Sequence, residues 1–177
     1  MFFLKDLEHN ISLHPSYFGP NITEIVLQKL YADVEGVTSG QDGYIIAITD
    51  LHNLKTLQSG SKVIQGTGEA EFTLHYQALV MKPIKGEVVD CQVEKVGKLG
   101  FFCVLGPMQI FVSTHYTPED FKFQPEANPP AFTSTHTGES IRRGSRIRLR
   151  IVGVRGEQSD FFAIGSIKGD YLGPMED

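Results

Sequence analysis

Between residues 146 and 151 the chain reads Arg-Ile-Arg-Leu-Arg-Ile, a strict alternation of cation and aliphatic. In an extended strand successive side chains leave opposite faces. Arg146, Arg148 and Arg150 then share one face, and Ile147, Leu149 and Ile151 the other. All six arginines of the chain fall between Arg142 and Arg155. A row of guanidinium groups neutralises phosphates, and single-stranded nucleic acid binds such a row when aromatic faces beside it stack the bases. Strand parity supplies those faces. With Phe101 and Cys103 inward, Phe102 points out; with Ile110 and Val112 inward, Phe111 points out beside it. Lys95 and Lys98, at the preceding turn, lie near the edge of that platform. The same alternation also describes a merely solvated arginine face, and a bulge at Gly100 would make Phe102 or Phe111 a core residue.

Catalytic chemistry finds no such support. Gly66-Thr67-Gly68 lacks the third glycine of a dinucleotide fingerprint, because Glu71 stands there, and it leads into a strand instead of a helix. No Walker-type Gly-Lys-Ser/Thr run and no Gly-x-Ser-x-Gly occurs. The six histidines show no metal-ligand spacing. Cys91 and Cys103 fall on the inward parity of their strands, where a thiol is inert. The reading is a non-enzyme with no cofactor and no metal.

Charge sharpens the division along the chain. The formal net charge is −5, and residues 1–80 carry all of it, with four lysines against nine acids. Residues 81–177 balance twelve cations against twelve acids. A general nucleic-acid coat is excluded and one local basic strip is allowed. The longest apolar runs have five residues, where a membrane helix needs about 20, so no membrane partner is expected. Charges at Lys5, Asp6 and Glu8 argue against a secretory leader. Cytosol or nucleus is the expected compartment.

The elements that must position these residues follow from periodicity. Residues 2–7 read as an edge strand and 10–20 as an irregular, turn-rich segment. A helix follows, with Asn21 as cap, Glu24 completing a capping box, Gly36 beyond its end, and Ile22, Val26, Leu30 and Val34 as its apolar stripe. Residues 44–49 are apolar on both faces and read as a central strand, 52–68 as a loop, and 70–81 as a strand burying Ala70, Phe72, Leu74 and Tyr76. One helix across three or four strands makes a small α+β domain, residues 1–80. Residues 81–177 read as five strands, 87–93, 101–105, 108–112, 146–154 and 161–168. Glycine turns separate them, and a long connection over 113–140 holds one short helical signal at Thr117–Asp120. That pattern fits a five-stranded OB-type barrel. The acidic first domain has no basic or aromatic strip. Tyr17, Phe18, Gly19 and Pro20 look like material for a protein contact.

Several blocks then carry a family resemblance. They are Met1-Phe2-Phe3-Leu4-Lys5-Asp6-Leu7, Leu13-His14-Pro15-Ser16-Tyr17-Phe18-Gly19-Pro20, Lys85-Gly86-Glu87-Val88-Val89-Asp90, Gly106-Pro107-Met108 and Ala163-Ile164-Gly165-Ser166-Ile167-Lys168 with Asp170-Tyr171-Leu172-Gly173. Together they resemble the family of the seventh-largest subunit of eukaryotic RNA polymerase II, whose archaeal counterpart is related more distantly. The resemblance implies a truncated RNP-like domain followed by an OB domain of the ribosomal S-one type, in the nucleus. It implies a stalk heterodimer with the fourth-largest subunit, docking on the clamp of the core enzyme, and binding of nascent single-stranded RNA by the OB domain. Carried over by position, Leu99 and Phe102 occupy aromatic stacking positions and Ser113 a histidine position, so only Phe102 keeps the pattern. For the clamp it points to His14, Pro15, Tyr17, Phe18, Gly19 and Pro20, and to the segment from Ser59 through Gly60 to Gly66. A free-standing OB factor of translation or RNA decay and a purely structural adaptor are the competing readings.

Overall fold

The computed structural model describes residues 1–39, 42–52, 61–127, 129–157 and 160–175, and the chain forms two units in it, Phe2–Lys82 and Pro83–Asp177. The first contains β1 (Phe2–Leu13), α1 (Ile22–Val34), β2 (Thr38–Ser39), β3 (Gly43–His52), β4 (Lys62–Val63) and β5 (Ala70–Met81). Its antiparallel sheet runs β1-β5-β3-β2, with β4 also pairing β5. β1 and β5 match without a slip from Phe2 opposite Met81 to Leu13 opposite Ala70.

That register corrects the irregular reading of residues 10–13. Ile11 and Leu13 alternate with Asn10 and Ser12, and both apolar chains are buried opposite Phe72 and Ala70. Period-two burial overrides the turn-forming residues around them. Only 14–20 remain outside regular strand and helix, with one 3₁₀ turn over Pro15–Tyr17.

The helix lies on the sheet through Val26, Leu30 and Val34, all buried with Phe72, Leu74, Tyr76, Ala78 and Val80 of β5 in one core. Each buried Val, Leu or Phe among them contributes about 1.5–3 kcal/mol. The capping box does not form. Asn21 holds ψ at 15°, near-helical, and its side chain makes no cap bond, because the reach back to the first turn needs an extended residue there. At the other end Gly36 turns the chain at φ +78°. Glu35 then accepts from the backbone N–H of Ile48 at 2.9 Å, between two register slips in β3. Gly43 is required where it is, since a Cβ would lie 2.5 Å from the carbonyl oxygen of Met81.

The second unit contains β6 (Val88–Gly97), β7 (Gly100–Leu105), β8 (Met108–Ser113), β9 (Phe121–Gln124), β10 (Ala131–Ser134), β11 (Ser140–Ile141), β12 (Arg146–Glu157), β13 (Asp160–Ser166) and β14 (Gly173–Pro174). Strands β12-β6-β7-β8-β13 close on themselves through β12–β13, with β8 and β13 parallel, and β14 adds to β12. The α+β class and the five-stranded barrel are therefore both present. Val89, Cys91, Val93, Phe101, Cys103, Ile110, Val112, Ile147, Leu149 and Ile151 fill the interior. The Cys91 thiol beside it, and burial, push the Cys103 thiol far above its ordinary range and keep it protonated.

The long connection holds more than its periodicity reveals. It folds into its own sheet, β11-β10-β9, and Phe132 of β10 stacks edge-on against Phe101 of the barrel at 6.0 Å. The helical turn falls at Thr114–Tyr116 and not at 117–120. Ser113 decides its place, its hydroxyl accepting from the backbone N–H of His115 at 3.3 Å.

Candidate nucleic-acid interface

Parity on the barrel comes out as the alternation dictates. Phe101 and Cys103 are fully buried, while Phe102 and Phe111 are half-buried and face outward on paired strands. Their rings lie 4.8 Å apart between centroids, tilted by 41°. No bulge intervenes between Phe102 and Phe111, because Gly100 pairs with Ser113 and the ladder runs regularly to Leu105 opposite Met108. Gly100 itself allows this closeness, as a Cβ there would stand 2.1 Å from the carbonyl oxygen of Val112.

The slip that does occur is on β6. Val93 pairs with Cys103 and Lys95 with Phe102, leaving Glu94 as an extra residue. Without that bulge Lys95 would share the inward parity of Val93; with it, both Glu94 and Lys95 are exposed. Both line a groove of about 640 Å³ together with Val96, Phe102, Gln109, Pro129, Pro130 and Arg143. A smaller recess of about 310 Å³ shares Glu94 and Arg143 and adds Gln92, Val104 and Gly144. Arg146 pairs in register with Gln92, one of the residues of this recess, but does not line it.

The three arginines of β12 are not equivalent. Arg148 donates Nε to Oδ1 of Asp90 at 2.6 Å and Nη2 to Oδ2 at 2.8 Å, a two-pronged pair across β6 and β12. The guanidinium holds the Asp90 carboxyl below its ordinary range, and Asp90 in turn raises Arg148. The pair carries no net charge toward a phosphate. Neither Arg146 nor Arg150 pairs with a carboxylate among the described residues. Arg148 and Arg150 line a separate recess of about 420 Å³ with Asp90, Asp170 and Tyr171. Lys98 is exposed and lines none of these recesses, and Leu99 is 78% exposed beside it.

Phe102, Phe111 and Lys95 are thus brought together, Arg148 and Arg150 line a separate recess, and Arg146 lines neither. Arg143 joins Phe102 and Lys95 although it falls outside the alternating run that singles out the other arginines. Its one signal in the sequence is the Arg142-Arg143-Gly144 turn that leads into β12.

On the first unit, His14 caps the Pro15–Tyr17 turn, its Nδ1 accepting from the backbone N–H of Ser16 at 3.2 Å. Tyr17 and Phe18 are exposed. Phe18 lines an apolar recess of about 300 Å³ with Ile22, Val26, Val63, Ala70 and Phe72. Pro15 lies 3.5 Å from where a Cβ of Gly68 would sit, so the 14–20 segment and the turn carrying Gly66 are neighbours. Gly19 and Pro20 lead into the helix, and Gly60 lies outside the described residues.

Known proteins resemble this chain along nearly its whole length. The family model described as "SHS2 domain found in N terminus of Rpb7p/Rpc25p/MJ0397" matches residues 8–68. DNA-directed RNA polymerase II subunit rpb7 of Schizosaccharomyces pombe is 48% identical over 174 residues, covering 98% of this chain and 99% of that protein. The RPB7 subunit of Saccharomyces cerevisiae is 44% identical over 175 residues, 99% of this chain and 100% of the other. DNA-directed RNA polymerase IV subunit 7 of Arabidopsis thaliana is 33% identical over 153 residues, 85% of this chain and 84% of the other.

Proposed function

The chain belongs to the RPB7 family of RNA polymerase II subunits, and from that premise we propose how its two units divide the work. It is a non-catalytic stalk subunit of DNA-directed RNA polymerase II, an enzyme complex of the nucleus. The first unit docks on the clamp of the core enzyme through the neighbouring segments at 14–20 and around Gly66, while the fourth-largest subunit completes a heterodimer. The barrel binds nascent single-stranded RNA during initiation and elongation.

The observation that carries the RNA reading is the outward Phe102–Phe111 pair beside a groove lined by Lys95 and Arg143. A base stacked on an aromatic face is worth about 1–3 kcal/mol, and a cation of the groove takes the adjacent phosphate. With Leu99 and Ser113 in place of further ring side chains, one aromatic pair and charge carry the affinity. Binding is then tolerant of sequence along most of the strand and sensitive to salt.

The test is Phe102→Ala in the full chain, titrated with a labelled oligouridine and melted in parallel. The expected result is binding weakened by about 1–3 kcal/mol with little change in melting. Lowered melting with RNA affinity intact would make Phe102 a packing residue. Absence of any cross-link between the barrel and nascent transcript would favour a structural adaptor.

A further inference from the structure

We propose that the groove beside Phe102 is a guanine-reading subsite, in which Glu94 and Lys95 address the hydrogen-bonding edge of a base stacked on Phe102. The inference rests on the RNA reading above and names the base that reading leaves open.

The bulge at Glu94 is the starting point. It brings a carboxylate and an ammonium into the groove that Phe102 also lines, Lys95 being the register partner of Phe102 and Glu94 the extra residue before it. Both line the groove, and no hydrogen bond or ion pair occupies either side chain among the described residues. A carboxylate in an RNA groove repels the phosphates. Glu94 is exposed and hydrated, so a base that seats against it has to offer donors in place of that water.

Guanine is the base that answers. Its edge presents O6 as an acceptor next to N1–H and the N2 amino group as adjacent donors. A carboxylate accepts from both donors at once, and an ammonium beside it donates to O6. Adenine and cytosine offer one donor group next to an acceptor, and uracil one donor between two acceptors that would face the carboxylate. Those three edges leave either an oxygen of Glu94 unpaired or two acceptors opposed. At about 640 Å³ the groove is large enough for one nucleotide, small-molecule sites running about 300–1,000 Å³. Arg143 supplies a cation for the phosphate. Pro129 and Pro130, rigid and without N–H donors, add apolar surface to the groove.

The experiment compares the full chain and its Glu94→Gln variant on three probes: a short oligouridine, the same oligomer with one central guanosine, and the same with inosine at that place. For the unchanged chain the guanosine oligomer is expected to bind about tenfold tighter than oligouridine. Inosine, which lacks the N2 amino group, should keep only part of that gain. Glu94→Gln should tighten oligouridine, by removing a negative charge, while erasing most of the guanosine advantage. Opposite signs on the two probes are the signature. If Glu94→Gln tightens both oligomers equally, Glu94 is only a repulsive charge and the guanine reading is overturned. If guanosine gives no advantage while Phe102→Ala weakens every oligomer, base reading fails and the stacking platform stands. If no oligomer binds at all, both readings fall together.

Discussion

Each unit offers a recess beside an outward phenylalanine, and the two recesses differ in what else lines them. Around Phe18 the lining is mainly apolar, with Ile22, Val26, Val63, Ala70 and Phe72 beside Thr23 and Ser61 and no charged group. Around Phe102 it mixes an aromatic ring with Lys95, Arg143, Glu94 and Gln109. The first gains mainly by excluding water, which suits a protein surface bringing its own apolar groups. The second can also meet phosphates and base edges. An aromatic side chain at a surface therefore does not announce its partner; its neighbours do.

The largest effect that could break this contrast comes from the first unit. Tyr17→Ala with Phe18→Ala should lower retention of the chain on core polymerase, each aromatic anchor being worth about 2 kcal/mol or more when central to an interface. RNA affinity of the purified chain should not move. Co-purification at increasing salt reads the first quantity and anisotropy the second. The reciprocal variant is Phe102→Ala, with RNA binding down by about 1–3 kcal/mol and polymerase retention kept. Loss of both properties in either variant would erase the division of labour.

A third and smaller effect separates the arginines from one another. Asp90→Asn should release Arg148 from its two-pronged pair. If RNA runs along β12, binding tightens and the log–log salt slope steepens by up to about 0.7 for the one further phosphate that Arg148 then neutralises. An unchanged slope would place Arg148 off the path. The smallest effect is on titration. Arg148 lowers the Asp90 pKa. The stability this pairing contributes is therefore complete above the ordinary carboxyl range and is lost as pH falls through the depressed midpoint. An NMR titration should find that midpoint below an ordinary aspartate, and Arg148→Gln should bring it back up.

Local periodicity makes much of this molecule legible. The helix stripe at Val26, Leu30 and Val34 and the alternation through β5, β7, β8 and β12 need nothing beyond the spacing of apolar residues. Periodicity fails where polar residues interrupt a real strand, as at Asn10 and Ser12, and where strands are too short to show a period. The sheet inside the 113–140 connection includes β11, only two residues long. Alternation places Asp90 on the outward face of its strand, but nothing local says which cation it meets, 58 residues away.

By itself, then, the sequence determined the two-part division of charge, the barrel and its outward aromatics, because side-chain parity along a strand is a local property of the backbone. Only the tertiary structure decided which cations share a groove with Phe102. That depended on a one-residue bulge in β6, which turned Lys95 outward, on the closure of β12 against β6, which tied Arg148 to Asp90, and on the turn that brought Arg143 to the ring. Registers between strands are set by pairings over long separations, and no local period encodes them.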